Sequence, residues 1–290
     1  VSLRTTLSAR LVASGTPVGQ EAAHGLISAL GVSSSSKEQA LVHRMFNGWV
    51  VIQDVEEALA ASCPTELFRF HVLLQGCAQA TLLELATSDC EPLATLRCPS
   101  GGMSFGLQTV AYDARYRLSR FVGLRRSENG GLTLEVPMGS GILTSSRLEV
   151  GTVFAVLAKG VRLNDLAAFV PDVAEAELAA FVQLLLINQA VSQCDEEGSL
   201  EEDHNDTLRQ WEYHDLLFHS RSRLGRTPES IGGNFRFRGE IASQPAVQKH
   251  SPAMHRIPLY RPDLATVSAS DPPLTTVIER RESVRQHAAI

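Results

Sequence analysis

YRLSRFVGLRRSENGGLTLEVPMGSGILT, residues 116–144, decides how the rest of the chain is read. Phe121, Leu124, Leu132, Leu134 and Val136 supply apolar positions in short runs. Asn129, Gly130 and Gly131 supply the positive backbone angles that a tight hairpin needs. The pattern is strand, turn, strand, turn, strand. Three helical segments come next, near Gly151–Lys159, Leu163–Phe169 and Ala174–Val191. In the last, Leu178, Phe181, Val182, Leu185 and Leu186 fall on one stripe at helical spacing.

Three strands followed by three helices resemble the winged-helix architecture. The same ingredients, in the opposite order, occur in residues 17–110, which suggests a degenerate repeat. There, Pro17–Leu30 places Ala22, Leu26, Ile27 and Leu30 at helical spacing, and Lys37–Ala61 and Thr65–Ala86 carry amphipathic helical patterns. FNGWVVIQDV reads as helix or as a hairpin edge around Asn47 and Gly48, while ATLRCP and SFGLQTVAY read as short strands about a turn. CDEEGSLEEDHND, residues 194–206, is an acidic linker expected to bury nothing. Beyond Glu240, prolines at 245, 252, 258 and 262 exclude one regular element, and DPPL announces a helix over Leu274–Arg281. The expected fold class is therefore α+β. A mainly helical region spans 1–110, a winged-helix-like region spans 111–195, and 207–290 holds a junction helix, a Pro-rich arm and the start of a further domain.

Composition narrows the function classes. Hydrophobic residues make up 44% and charged residues 20% of the 290, as in a globular protein with a core. The net charge of -6 opposes general affinity for nucleic acid. No run is apolar enough for a membrane span or a signal peptide, so the chain is expected in the cytoplasm. Five Cys without a CxxC pair favour neither a disulfide framework nor a zinc ribbon, and no metal site is expected.

WEYHDLLFHSRSRLGR, residues 211–226, is the least generic stretch. Its plain reading is a short helix burying Trp211, Leu217, Phe218 and part of Tyr213. His214 and His219, five apart, do not share a face as an i, i+4 metal pair would. Arg221, Arg223 and Arg226 could hold an anion through forked hydrogen bonds, or form a salt-bridged face. Near the end of the chain, Arg281, Ser283 and Arg285 stand at i, i+2, i+4, where two guanidinium groups and a hydroxyl can converge on one dianion. An exposed basic tail is the alternative. The sequence contains no Gly-rich nucleotide loop, HExxH or GxSxG.

In order, YRLSRFVGLRR with LTLEVP, WEYHDLLFHSRSRLGR with GGNFRFRG, IPLYRPDL and DPPLTTVIERRESVR resemble the SagB-type azoline dehydrogenases. Those are FMN enzymes that mature thiazole/oxazole-modified peptides and are similar to nitroreductases. The resemblance covers about residues 112–290. It implies that Arg281, Ser283 and Arg285 hold the flavin phosphate, and that a nitroreductase-like domain, with a Lys-Tyr pair acting on the azoline ring, follows. No Lys precedes a Tyr here, so the catalytic residues stay unassigned and the chain reads as the N-terminal half of such an enzyme. The implied partners are a ribosomal precursor peptide, a cyclodehydratase complex, and a homodimer mate or partner chain completing the flavin site. The alternative is a non-catalytic peptide-recognition or scaffold subunit. In that version Leu132–Pro137 or Ile142–Leu148, at a sheet edge, would accept an extended peptide beside the helix Ala174–Val191.

Overall fold

The computed structural model describes residues 2–3, 7–11, 36–62, 64–79, 83–97, 110–127, 130–139, 141–223, 237–242, 255 and 257–282. Backbone contacts divide the chain into a first unit, 1–234, and a second, 235–290.

The first unit begins with β1 (Ser2–Leu3), β2 (Ser8–Leu11), α1 (Ser36–Asn47), β3 (Val50–Val51), α2 (Ile52–Ser62), α3 (Pro64–Gln79), β4 (Leu83–Ala86) and β5 (Thr95–Arg97). There follow β6 (Val110–Ala111), β7 (Arg115–Leu118), β8 (Gly123–Arg126), β9 (Leu132–Glu135) and β10 (Ile142–Ser145). It continues through α4 (Glu149–Leu157), β11 (Val161–Arg162), α5 (Leu163–Leu166), α6 (Glu175–Ile187), β12 (Val191–Gln193), α7 (Glu201–His204) and α8 (Tyr213–Arg221). This mixture of helix and antiparallel strand fits the α+β class expected from the sequence.

Helix and strand divide where the chain's chemistry changes. Pro64 opens α3, where its missing N–H costs nothing. The helix stops at Gln79 rather than running to Ala86, because LELA is buried on both faces as a strand. FNGWVVIQDV is neither one helix nor a hairpin: Gly48 N–H bonds back to Arg44 O, β3 follows, and α2 starts directly after it. The first expected helix, Pro17–Leu30, and most of SFGLQTVAY lie outside the described residues.

The described strands form a seven-stranded sheet ordered β3-β2-β4-β5-β10-β9-β8, a three-stranded sheet β11-β7-β12, and the pair β1-β6. The 116–144 stretch does form a meander, β8-β9-β10, and Gly130 has the positive φ, +89°, that its turn requires. Its last strand joins the upstream strands, pairing Leu143 with Leu96. The large sheet therefore runs without a break from residues upstream of 110 to residues downstream of it.

Two copies of one arrangement occur: β2-α1-β3-α2-α3-β4, and β7-α4-β11-α5-α6-β12 with the β8-β9-β10 meander inserted after β7; in each the first strand lies between the other two. Single bonds correspond as well: Ile52 N–H donates to Leu7 O (2.9 Å) and Leu163 N–H to Ala114 O (3.4 Å), each where a helix leaves its strand.

One core cluster joins both copies, holding Leu74, Leu85 and Leu96 together with Phe154, Phe181 and Leu185. α6 belongs to it and is covered on nearly every side beyond its first turn. Nine of its residues are buried, among them Ala179, Ala180 and Leu184, so the single stripe expected from spacing is instead burial all round. Two Arg of β7 close the end of α4: Arg115 donates to Gly160 O (3.1 Å) and Arg117 to Ala158 O (3.3 Å), where the helix dipole is negative.

The acidic stretch 194–206 does bury something. Leu200 is almost fully covered, and the Glu202 carboxylate accepts from Ser119 Oγ (2.7 Å) and Arg120 N–H (2.8 Å). The Glu202 charge is thus held by groups of the β7–β8 corner.

The second unit holds α9 (Leu264–Ser270) and α10 (Leu274–Arg280). Residues 257–263 run without helix or strand, as the prolines require, and Asp263 caps α9 by accepting from Ala265 N–H (3.1 Å). The second helix starts at Leu274 after Pro273, as read from DPPL, whereas α9 was not anticipated.

Candidate functional site

Two of the motifs that carried the resemblance, YRLSRFVGLRR with LTLEVP and WEYHDLLFHSRSRLGR, meet in space. Arg120, from the first, donates to Leu208 O (2.6 Å), which holds the chain just before Trp211 against the β7–β8 corner. Tyr213, first residue of α8, lies over Gly123 so closely that a β-carbon there would overlap its phenol ring. Eight residues on, Arg221 donates from Nε to Glu135 (2.9 Å), from Nη2 to Val136 O (3.2 Å) and from Nη1 to Gly139 O (3.4 Å). Its guanidinium fork thus closes the turn that leaves β9, with a carboxylate and two carbonyls in one plane of donors. Both partners are largely covered, with side-chain exposures of 18% and 20%. Partial burial raises the Tyr213 hydroxyl pKa above the usual phenol range, and the Glu135 carboxylate adds to it.

The helix expected in this stretch exists, with a different buried face. Leu216 is buried and Phe218 is 76% exposed, because Tyr213, Leu216, Leu217, Ser220 and Arg221 share the side turned to the sheet. Trp211 is half-buried and packs on the His219 ring (centroids 5.0 Å apart), and His219 also meets Arg223. His214 is exposed on another face. Arg226 lies outside the described residues. Among the described residues no three His, Cys, Asp or Glu side chains gather as a metal would require.

A second junction went unnoticed in the sequence. Glu177 on α6 accepts from Leu93 N–H (2.8 Å) and Thr87 Oγ1 (3.0 Å), so a carboxylate of one copy of the repeat ties the β4–β5 turn of the other. An Asp or Glu in the first helical turn is common at exposed N-termini, and its partner lies 84 residues away, so spacing offered no signal.

Neither strand proposed as a peptide acceptor is an edge. β9 lies between β8 and β10, and β10 between β9 and β5, while α6 has no open flank to serve as a groove wall. Of the residues expected to hold a phosphate, Arg281 follows α10 and is exposed, and its N–H closes that helix on Ile278 O (3.2 Å). Ser283 and Arg285 lie outside the described residues.

Residues 116–228 match the family model of the cyanobactin oxidase ThcOx. The matched segment is under half of the 290 residues. It takes in β7 to α8, and with them the Arg120, Tyr213–Gly123 and Arg221–Glu135 contacts that join the two motifs. Over this segment the chain is similar to an oxidase of peptide maturation. No curated protein matches the chain. Among the described residues no helix is long and apolar enough to cross a membrane.

Proposed function

We propose that this chain is part of an FMN-dependent dehydrogenase that oxidises thiazoline or oxazoline rings to thiazole or oxazole in a ribosomally made precursor peptide. The observation that carries the reading is the match of residues 116–228 to a cyanobactin oxidase, over the same residues that the two joined motifs occupy. The first unit, read as a pair of winged-helix-like modules with α8 closing the second, is the platform. The flavin part is entered through the second unit.

In this reading Arg281, Ser283 and Arg285 hold the flavin phosphate by charge-assisted bonds. Bound flavin supplies the acceptor for the hydride that the azoline ring loses along with a proton. The exposed Arg281 guanidinium suits a phosphate ligand, since no carboxylate among the described residues pairs with it. A second copy of the chain, or a partner subunit, supplies the remainder of the flavin site, and a cyclodehydratase complex supplies the azoline-bearing peptide.

The test is FMN titration of the full chain, alone and with a candidate flavin partner subunit, followed by incubation with an azoline peptide. Saturable quenching of flavin fluorescence is expected. It should weaken about tenfold in Arg281→Ala, the loss of one charge-assisted bond, and each ring should lose a pair of hydrogens by mass. Flavin binding that is indifferent to Arg281, Ser283 and Arg285 together would remove the assignment of these residues.

A further inference from the structure

A cleft of about 590 Å³ opens where three connections of the first unit come together. The β4–β5 turn contributes Glu91 and Pro92, the start of β9 Leu132, and the β10–α4 loop Ser146 and Arg147. Its size falls within the range of small-molecule sites.

The walls are tied to one another. Ser145 Oγ donates to Leu93 O (2.6 Å) and accepts from Arg147 N–H (3.0 Å), which joins the β4–β5 turn to the β10–α4 loop. From α6, Glu177 holds the same turn at Leu93 N–H. Thr95 and Thr144, which also line the cleft, share a hydrogen bond between their hydroxyls (2.9 Å) across β5 and β10. The cleft is therefore formed in advance, and a ligand is spared the cost of ordering it.

Two opposite charges line this cleft with bonding capacity to spare. Arg147 donates from Nε (3.2 Å) and Nη2 (2.6 Å) to one oxygen of Glu149, while its Nη1 has no partner among the described residues. Glu91 is exposed, and its carboxylate has neither a hydrogen bond nor an ion pair among the described residues. The Glu149 hydrogen bond is the main cause of a raised Arg147 pKa, and the fields of Glu149, Glu177 and Glu91 add to it. Glu91 and Arg147 thus feel each other without touching.

Each is anchored where it stands. Glu91 sits at φ +47°, in the left-handed region, although a residue that precedes proline favours extended backbone. Such a conformation costs free energy, and it clusters at ligand clamps. Arg147 is fixed by its two bonds to Glu149. An attractive pair of charges is held open across a preformed cleft.

We propose that this cleft binds a free α-amino acid. The ammonium would meet Glu91 and the carboxylate Arg147 Nη1, so one zwitterion satisfies both sides by charge-assisted bonds. A lone anion is disfavoured by the carboxylates that already surround Arg147, and a lone cation by the guanidinium itself. The Ser146, Thr95 and Thr144 hydroxyls supply further hydrogen bonds, and Pro92 and Leu132 are the apolar residues that a side chain would meet. Neither flavin nor peptide is needed.

The test is isothermal titration of the full chain, in flavin-free buffer, with L-leucine, L-serine and L-glutamate. Saturable binding of at least one of them, with Kd below about 1 mM, is expected. For the amino acid that binds, the N-acetyl derivative removes the ammonium and the amide derivative removes the carboxylate, with the protein left untouched. Each should bind at least about tenfold more weakly, the loss of one charge-assisted contact. Glu91→Gln, at an exposed turn position, should weaken binding about tenfold with an unchanged circular dichroism spectrum.

No saturation with any of the three amino acids overturns the inference. So does an acetylated or amidated derivative that binds as tightly as its parent, since that ligand would need one charge only. Equal binding by Glu91→Gln would put the ligand elsewhere on the chain and overturn it too.

Discussion

Replacing Gly139 by Ala tests whether the β9–β10 turn is pressed against the end of α6. A β-carbon at 139 would stand 2.7 Å from Asn188 Oδ1 and nearer still to the Asn188 backbone oxygen. Ordinary contact between heavy atoms begins at about 3.5 Å, so the turn must retreat by at least about 0.8 Å. The obstacle is main chain at a helix terminus, fixed by Asn188 N–H donating to Leu184 O (3.0 Å), and cannot rotate away. Retreat also stretches the bond from Gly141 N–H to Asn188 Oδ1 (2.9 Å) and loosens the Arg221 contacts to Val136 O and Gly139 O. Overpacking costs about 1–3 kcal/mol and a weakened buried hydrogen bond about 1 kcal/mol more, a total of roughly 2–4 kcal/mol. For a unit of this size, Tm should fall by roughly 5–15 °C in calorimetry. Gly151→Ala is the control: it lies inside α4 with nothing within 4 Å, and should be neutral or stabilise by about 0.5–1 kcal/mol. A Gly139→Ala protein that melts with the parent, while Gly151→Ala behaves as stated, would refute the close packing of this turn on α6.

Two further outcomes follow from single contacts. Arg221→Lys keeps the charge and loses the fork that reaches Glu135, Val136 O and Gly139 O at once, so the urea midpoint should drop by the equivalent of about 1–2 kcal/mol; an unchanged midpoint would mean that the fork is not needed. At the second unit, the Thr266 hydroxyl first, and then Ala265 N–H, hold the Asp263 carboxyl below the usual carboxylate range. A lowered folded-state value means that the cap is fully effective above the ordinary carboxylate pKa and is lost as pH falls through the depressed one. Amide exchange in α9 should therefore quicken below about pH 4 beyond its intrinsic trend. In Asp263→Asn, which caps without titrating, that extra step should be missing.

What the sequence determined alone was local. The hairpin turn at Gly130 and Gly131, the three helices after it, the irregular run about Pro258 and Pro262 and the helix at Leu274 were legible because period and turn chemistry are written into neighbouring residues. The duplicated order of elements was half legible, since composition showed the ingredients without their sequence of pairing. Tertiary structure decided the rest. Whether β10 is an edge depends on β5, which joins it from upstream. Whether α6 shows a stripe or is covered all round depends on what packs on its second face. Whether Leu216 or Phe218 turns inward depends on where Gly123 leaves room for Tyr213. The partners that tie Arg221 and Glu177, 86 and 84 residues away, likewise leave no periodic trace. Side-chain spacing encodes which residues share a face, but which face meets which is set by the closure of long loops and the fit of surfaces, and only the folded chain displays it.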